Sequence, residues 1–121
     1  MEVNSVVQQC HRTATDNGWW DDEEPLIYGG SQERARVFLA KCALITSEIS
    51  EAVEAMRDQK PAYHPCASGT KPEGWGVELV DAIIRTFDLL RAFGVTDVEY
   101  LLRLKMDYNK TRTFRHGDKS A

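Results

Sequence analysis

Apolar residues recur at helical spacing along most of the chain, and no alternating strand pattern of convincing length appears. Between residues 32 and 57, Phe38, Cys42, Ile45, Ile49, Ala52 and Met56 step by four and three positions, one stripe of a long α-helix. A second run over residues 76–93 sets Val80, Ile83, Ile84, Phe87 and Leu90 on one side, and Gly94 ends it. That pattern predicts burial of these apolar residues, with Glu78, Asp81, Arg85 and Asp88 sharing the other side. A helix over residues 3–16 has a thinner apolar set, Val6, Val7, Cys10 and Ala14, and stops at Asn17-Gly18. The last helix begins after Thr96, read as an N-cap with Glu99 three residues on. Leu101, Leu102, Leu104, Met106 and Tyr108 supply its apolar content, and it fades near Thr113.

The breaks are equally readable. Trp19-Trp20, the acidic run Asp21 to Glu24, Pro25 and Tyr28-Gly29-Gly30 lie between the first two helices. Ser31 reads as the next N-cap, with Arg34 where a capping box would carry Glu or Gln. Residues 58–76 hold Pro61, Pro65, Pro72, Gly69, Gly74 and Gly76, which forbid a continuous helix. A connection that long inside a compact domain is commonly functional or mobile. The expected fold is all-α: one domain over residues 1–121, like a four-helix bundle. Its four helices carry more apolar surface than so short a chain easily hides, which predicts an oligomer. Leu44 and Ala55, on the shoulder of the long helix, are interface candidates.

Two acidic spacings carry the chemistry. In Glu48-Ile49-Ser50-Glu51 and in Glu78-Leu79-Val80-Asp81, two carboxylates stand three residues apart, neighbours on one helical face. On helices packed side by side, all four converge. Their repulsion is relieved by a divalent cation, and hard oxygen ligands suit magnesium, with manganese as the alternative. Taken singly, each spacing is more often a solvated surface pair; the combination gives it weight. A basic counterpart follows, because Lys105, Asn109 and Arg112 recur at four and three residues and share a face. Lysine as a point charge, arginine as a fork and asparagine as an orienting amide make a phosphate clamp. Trp19 and Trp20 cannot share a face of a regular helix, so one belongs in the core and the other outside. Either aromatic can stack on a nucleobase, and His11 is a further base-contact candidate. His64-Pro65-Cys66 lacks a second ligand pair for zinc. No glycine-rich phosphate loop and no nucleophile elbow is present.

Charge narrows the classes. With 15 basic and 19 acidic residues the chain carries a formal charge of -4, so no broad basic field meets a nucleic acid. No apolar run approaches the roughly 18 residues of a membrane span, and Met1-Glu2-Val3-Asn4 lacks a signal-peptide pattern. Cys10, Cys42 and Cys66 are an odd number without framework spacing, which predicts a reduced, cytoplasmic setting.

The motifs together resemble those of the MazG-like all-α nucleoside triphosphate pyrophosphohydrolases, over most of the chain. That family's signature is Glu-Glu-x-x-Glu, a spacer, then Glu-x-x-Asp. Here Ser47 stands at the first acidic position, Glu48 and Glu51 match the next two, and Glu78 and Asp81 match the second half. Lys105, Asn109 and Arg112, followed by His116-Gly117-Asp118-Lys119, are similar to the family's C-terminal Lys…Asn…Arg and His-Gly-Gly-Lys pattern, with Asp118 replacing the second glycine. Asn17-Gly18-Trp19-Trp20 resembles the segment before the second helix in small single-domain members. The resemblance implies cleavage of the α–β phosphate bond of a ribo- or deoxynucleoside triphosphate, giving monophosphate and pyrophosphate, as nucleotide-pool house-cleaning. It implies magnesium on Glu48, Glu51, Glu78 and Asp81, catalysis by Glu48 and Glu51, and a homo-oligomer, either a dimer or a dimer of dimers. Substrate would meet Lys105, Asn109, Arg112, Trp19, Trp20, His11 and Lys119. The alternative is a non-catalytic helical oligomer acting as a nucleotide-binding regulator or interaction module.

Overall fold

The computed structural model describes residues 2–65, 69 and 71–112. It is mostly helical, with the elements α1 (Val3–Asp16), α2 (Glu24–Ile27), α3 (Ser31–Arg57), α4 (Trp75–Ala92) and α5 (Val98–Lys110). Between α3 and α4, β1 (His64–Pro65) and β2 (Pro72–Glu73) pair antiparallel, His64 opposite Glu73 and Pro65 opposite Pro72. No described helix is long and apolar enough to cross a membrane.

The predicted stops hold, and two predicted caps move by one residue. At the end of α1, Gly18 has φ 80°, and the Trp19 N–H reaches back to the Ala14 carbonyl at 3.0 Å. The N-cap of α3 is Gly30, not Ser31, and that of α5 is Asp97, not Thr96. Asp97 wins because its carboxylate accepts the Tyr100 N–H at 3.0 Å, a position Thr96 cannot reach from one residue earlier. α5 ends at Lys110, and Thr113 lies outside the described residues. Glu24, the last of the acidic run, and Pro25 open the short α2, with proline in the first turn, where its missing N–H costs nothing.

Long helices α3 and α4 pack against each other, and α1 packs on α4. Their core is Ala14, Trp20, Ile27, Val37, Leu89 and Ala92, with Cys42, Ile45 and Phe93 against it. Arg34 fastens one end: its guanidinium lies 4.6 Å from the Phe93 ring and donates to the Ile27 and Phe93 carbonyls at 3.3 Å each. α5 packs on α1, where Asn4 donates to Asp97 and accepts the Glu99 N–H, both at 3.0 Å.

Burial corrects the faces read from periodicity. On α3 the apolar stripe is split: Ala52 is buried and Cys42 and Ile45 pack on the core, while Val37 and Glu48, also buried, lie roughly 90° from the stripe's centre at 100° per residue. Phe38, Ile49 and Met56 of that stripe are exposed. On α4 the buried residues are Ala82, Asp88, Leu89 and Ala92, while Val80, Ile83 and Ile84 lie open. The helix pair thus takes Glu48 and Asp88 into its packed side and leaves part of each apolar face open.

Candidate metal centre and adjoining cavity

The acidic residues drawn into this packing assemble the site. Glu48, at the middle of α3, is 8% exposed, and Glu78 and Asp81 stand on the first two turns of α4 opposite it. One carboxylate oxygen from each of Glu48, Glu78 and Asp81 lies within 4.8 Å of the others. Glu51, one turn on from Glu48, is exposed but reaches Glu78 by a hydrogen bond. The four predicted ligands therefore meet, with three in a tight group and Glu51 at its rim.

The electrostatics match a cation-seeking site. Burial pushes the Glu78 carboxyl up to about 7, helped by hydrogen bonds to Glu48 and Glu51 and by their charges. Asp81 is also raised, first by burial and then by the Glu48 charge, against the opposing pull of Arg85 and Lys71. Arg85 donates from Nε to Glu48 Oε1 at 3.0 Å, one guanidinium against several carboxylates. These groups fit a divalent metal: all are hard oxygen donors, and their unrelieved repulsion is what such an ion would remove.

Beside this cluster a cavity of about 380 Å³ opens between α3, α4 and the Trp19-Trp20 segment. Trp19, Trp20, Lys41, Leu44, Arg85 and Asp88 are among its walls. Trp20 is buried and Trp19 is half exposed, as their adjacency predicted. Trp20 donates Nε1–H to both oxygens of Asp88 at 2.9 and 3.0 Å. His11 Nδ1 stands 2.8 Å from Asp88 Oδ1; a carboxylate only accepts, so that nitrogen carries the proton. His11 also meets the Trp20 ring edge-on, with centroids 6.2 Å apart. The Arg85 guanidinium lies 5.5 Å from the centre of the Trp19 ring. Asp88 and Lys41 were not anticipated as site residues. The signal for Asp88 was its place seven residues after Asp81 on one stripe; Lys41 stands seven before Glu48.

A second cavity, about 260 Å³, flanks the cluster on the loop side and includes Glu78, Lys60, His64 and Lys71. The C-terminal candidates are not brought to the carboxylates by any described contact. Lys105 in α5 and Arg112, two residues past its end, instead both lie near Tyr108, 5.0 and 5.6 Å from its ring centre, so the predicted common helix face stops short of Arg112. Lys119 lies outside the described residues. Ser47, at the position where the resemblance expects an acid, is exposed and donates to the Leu44 carbonyl at 2.8 Å. No family model, no curated protein and no solved structure matches the chain.

Proposed function

We propose that the protein is a magnesium-dependent nucleoside triphosphate pyrophosphohydrolase of the MazG-like kind, working as a homo-oligomer. The observation that carries this reading is the convergence of Glu48, Glu78 and Asp81 beside a cavity walled by two tryptophans. Acidic ligands next to an aromatic slot suit a metal-bound triphosphate with its base alongside.

Glu48, Glu78 and Asp81 would hold the metal, which supplies Lewis-acid charge to the phosphate oxygens and lowers the pKa of water. Glu51 stays exposed at the rim, so it is placed to accept the proton of the attacking water. That water adds to the α-phosphorus, and the α–β bridging oxygen leaves with pyrophosphate. Arg85 neutralises part of the charge on Glu48, and Trp19 gives the base a stacking face. His11 acts through Asp88, which fixes the Trp20 indole. Lys105, Asn109 and Arg112 reach a triphosphate from a second copy of the chain. The open faces at Phe38, Ile49, Ile83 and Val80 are the surface through which copies would associate.

One observation favours the non-catalytic alternative: Arg85 already neutralises part of the cluster without a metal. Release of pyrophosphate, rather than single phosphates, from a panel of triphosphates with magnesium decides between the two. A protein that binds nucleotides and releases none is the regulator.

A further inference from the structure

Lys41 is the cation that α3 contributes to the aromatic cavity, across from Arg85 on α4. Its side chain is 18% exposed, and its ammonium sits 4.4 Å from the centre of the Trp20 ring. Its other contacts are long, 3.4 Å to the Trp19 carbonyl and 4.0 Å to Glu23 Oε1. An ammonium carries three N–H donors, so much of its hydrogen-bonding capacity is unmet. The other polar groups on the wall are already engaged in part or in full. Asp88 accepts from Trp20 and His11, the Trp20 indole is spent on Asp88, and Arg85 is paired with Glu48. Lys41 is therefore the donor a ligand meets at the end of the cavity away from the Arg85–Glu48 pair.

Its position says which part of a ligand. Lys41 precedes Glu48 by seven residues on one face of α3, about 10 Å along the axis. A phosphate held at the carboxylate cluster puts the base, not the phosphates, at that distance. The surroundings agree, since Trp19, Trp20, Leu44 and Leu89 offer flat and apolar contact.

Resting on the reading of this cavity as a nucleotide site, we propose that Lys41 determines base specificity. Its ammonium donates to a carbonyl oxygen on the edge of the base, so the site takes carbonyl-bearing bases ahead of adenine. Thymine, uracil, guanine and cytosine each present such an oxygen. Adenine presents none: its acceptors on the N1 and N7 edges are ring nitrogens beside an amino group that turns N–H donors toward the ammonium. The physical cost falls on the mismatch, because the amino group beside each of those ring nitrogens sets donor against donor where a carbonyl oxygen would accept.

The test is binding of deoxynucleoside monophosphates with magnesium present, read by tryptophan fluorescence from Trp19 and Trp20. The wild-type protein is expected to bind dTMP, dCMP or dGMP at least about tenfold more tightly than dAMP. Lys41→Met, of similar length and without charge, should bring the preferred nucleotide to within about threefold of dAMP and leave dAMP unchanged. Lys41→Arg should keep most of the preference. Wild-type binding of dAMP as tight as the others overturns the proposal with no mutant needed. An equal loss for all four in Lys41→Met also overturns it, assigning the ammonium to phosphate or to the fold. If no nucleotide binds at all and no pyrophosphate is released, the nucleotide reading itself falls, and the role of Lys41 with it.

Discussion

Arg85 on α4 donates to Glu48 on α3 at 3.0 Å, across the seam between the two helices. It gives the Glu48 carboxylate, at 8% exposure, a guanidinium partner. The pair is partly buried, with the arginine side chain 31% exposed, so its worth is well below that of a fully buried ion pair. Arg85→Ala is expected to cost about 1–2 kcal/mol in magnesium-free buffer, because the carboxylates lose their guanidinium. Magnesium should recover part of that loss by supplying charge at the same place. Denaturant unfolding of both proteins, with and without magnesium, measures it; equal losses in the two buffers would speak against a metal at this cluster.

Asp81→Asn and Glu78→Gln each remove a charge from a site that repels itself. In the absence of magnesium they should raise the melting temperature or leave it unchanged. They should also abolish any rise that magnesium gives the wild type. A variant that melts lower than wild type in magnesium-free buffer, and still gains from magnesium, would contradict the ligand assignment.

The raised Glu78 carboxyl makes stability depend on pH in a defined direction. Its folded value of about 7 lies above the ordinary 4.5, so the fold holds the proton more tightly than the unfolded chain does. The stability this gives is complete below 4.5 and is lost as pH rises through about 7. Asp81, also raised, adds in the same sense. The charges that face these groups are Glu48, Glu51, Arg85 and Lys71. Melting in magnesium-free buffer should therefore fall between about pH 5 and about pH 8. In Glu78→Gln that fall should shrink. Magnesium should bind more tightly toward the upper end, where the proton no longer competes.

Asp88 gathers the Trp20 indole and the His11 ring, and all three are at least partly buried. Asp88→Ala leaves two donors without their acceptor and should cost about 1–3 kcal/mol. Near-ultraviolet circular dichroism should change along with it, because the indole of Trp20 loses its anchor. Unchanged stability would mean that water replaces the carboxylate without penalty.

Gly74, just before α4, has φ 128°, and a Cβ there would collide with the Ala62 carbonyl. The same carbonyl accepts the Gly76 N–H at 2.9 Å, so this close approach ties the end of the loop to the start of the helix. Gly74→Ala should destabilise the protein by about 1–3 kcal/mol. It should also weaken magnesium binding, since Glu78 lies one turn further on. Thermal melting and magnesium titration check the two effects.

The helices and their stops were legible because glycine and proline act locally: Gly18 and Gly94 end helices wherever they occur in such a context. The acidic spacings were legible for the same reason, since a three-residue step fixes relative placement on a helix. Which face is buried was not legible. Periodicity marks every residue that avoids water, whether a neighbour in the chain or another molecule covers it. In one chain Ile49, Val80 and Ile83 are open while Glu48 and Asp88 are covered. The hairpin at His64–Pro65 and Pro72–Glu73 was hidden because two-residue strands have no period. The link from Asp88 to His11 joins positions 77 residues apart, and nothing local encodes it.

The central claim is that Glu48, Glu78 and Asp81 hold magnesium for cleavage of a nucleoside triphosphate between its α- and β-phosphates. Pyrophosphate release, measured with wild type and Asp81→Asn over a panel of ribo- and deoxynucleoside triphosphates, tests it most directly. The account predicts magnesium-dependent pyrophosphate from the wild type, no release when magnesium is chelated, and a loss of at least about a hundredfold in Asp81→Asn with folding intact. Absence of pyrophosphate from the wild type across the panel, or full turnover by Asp81→Asn, would contradict it.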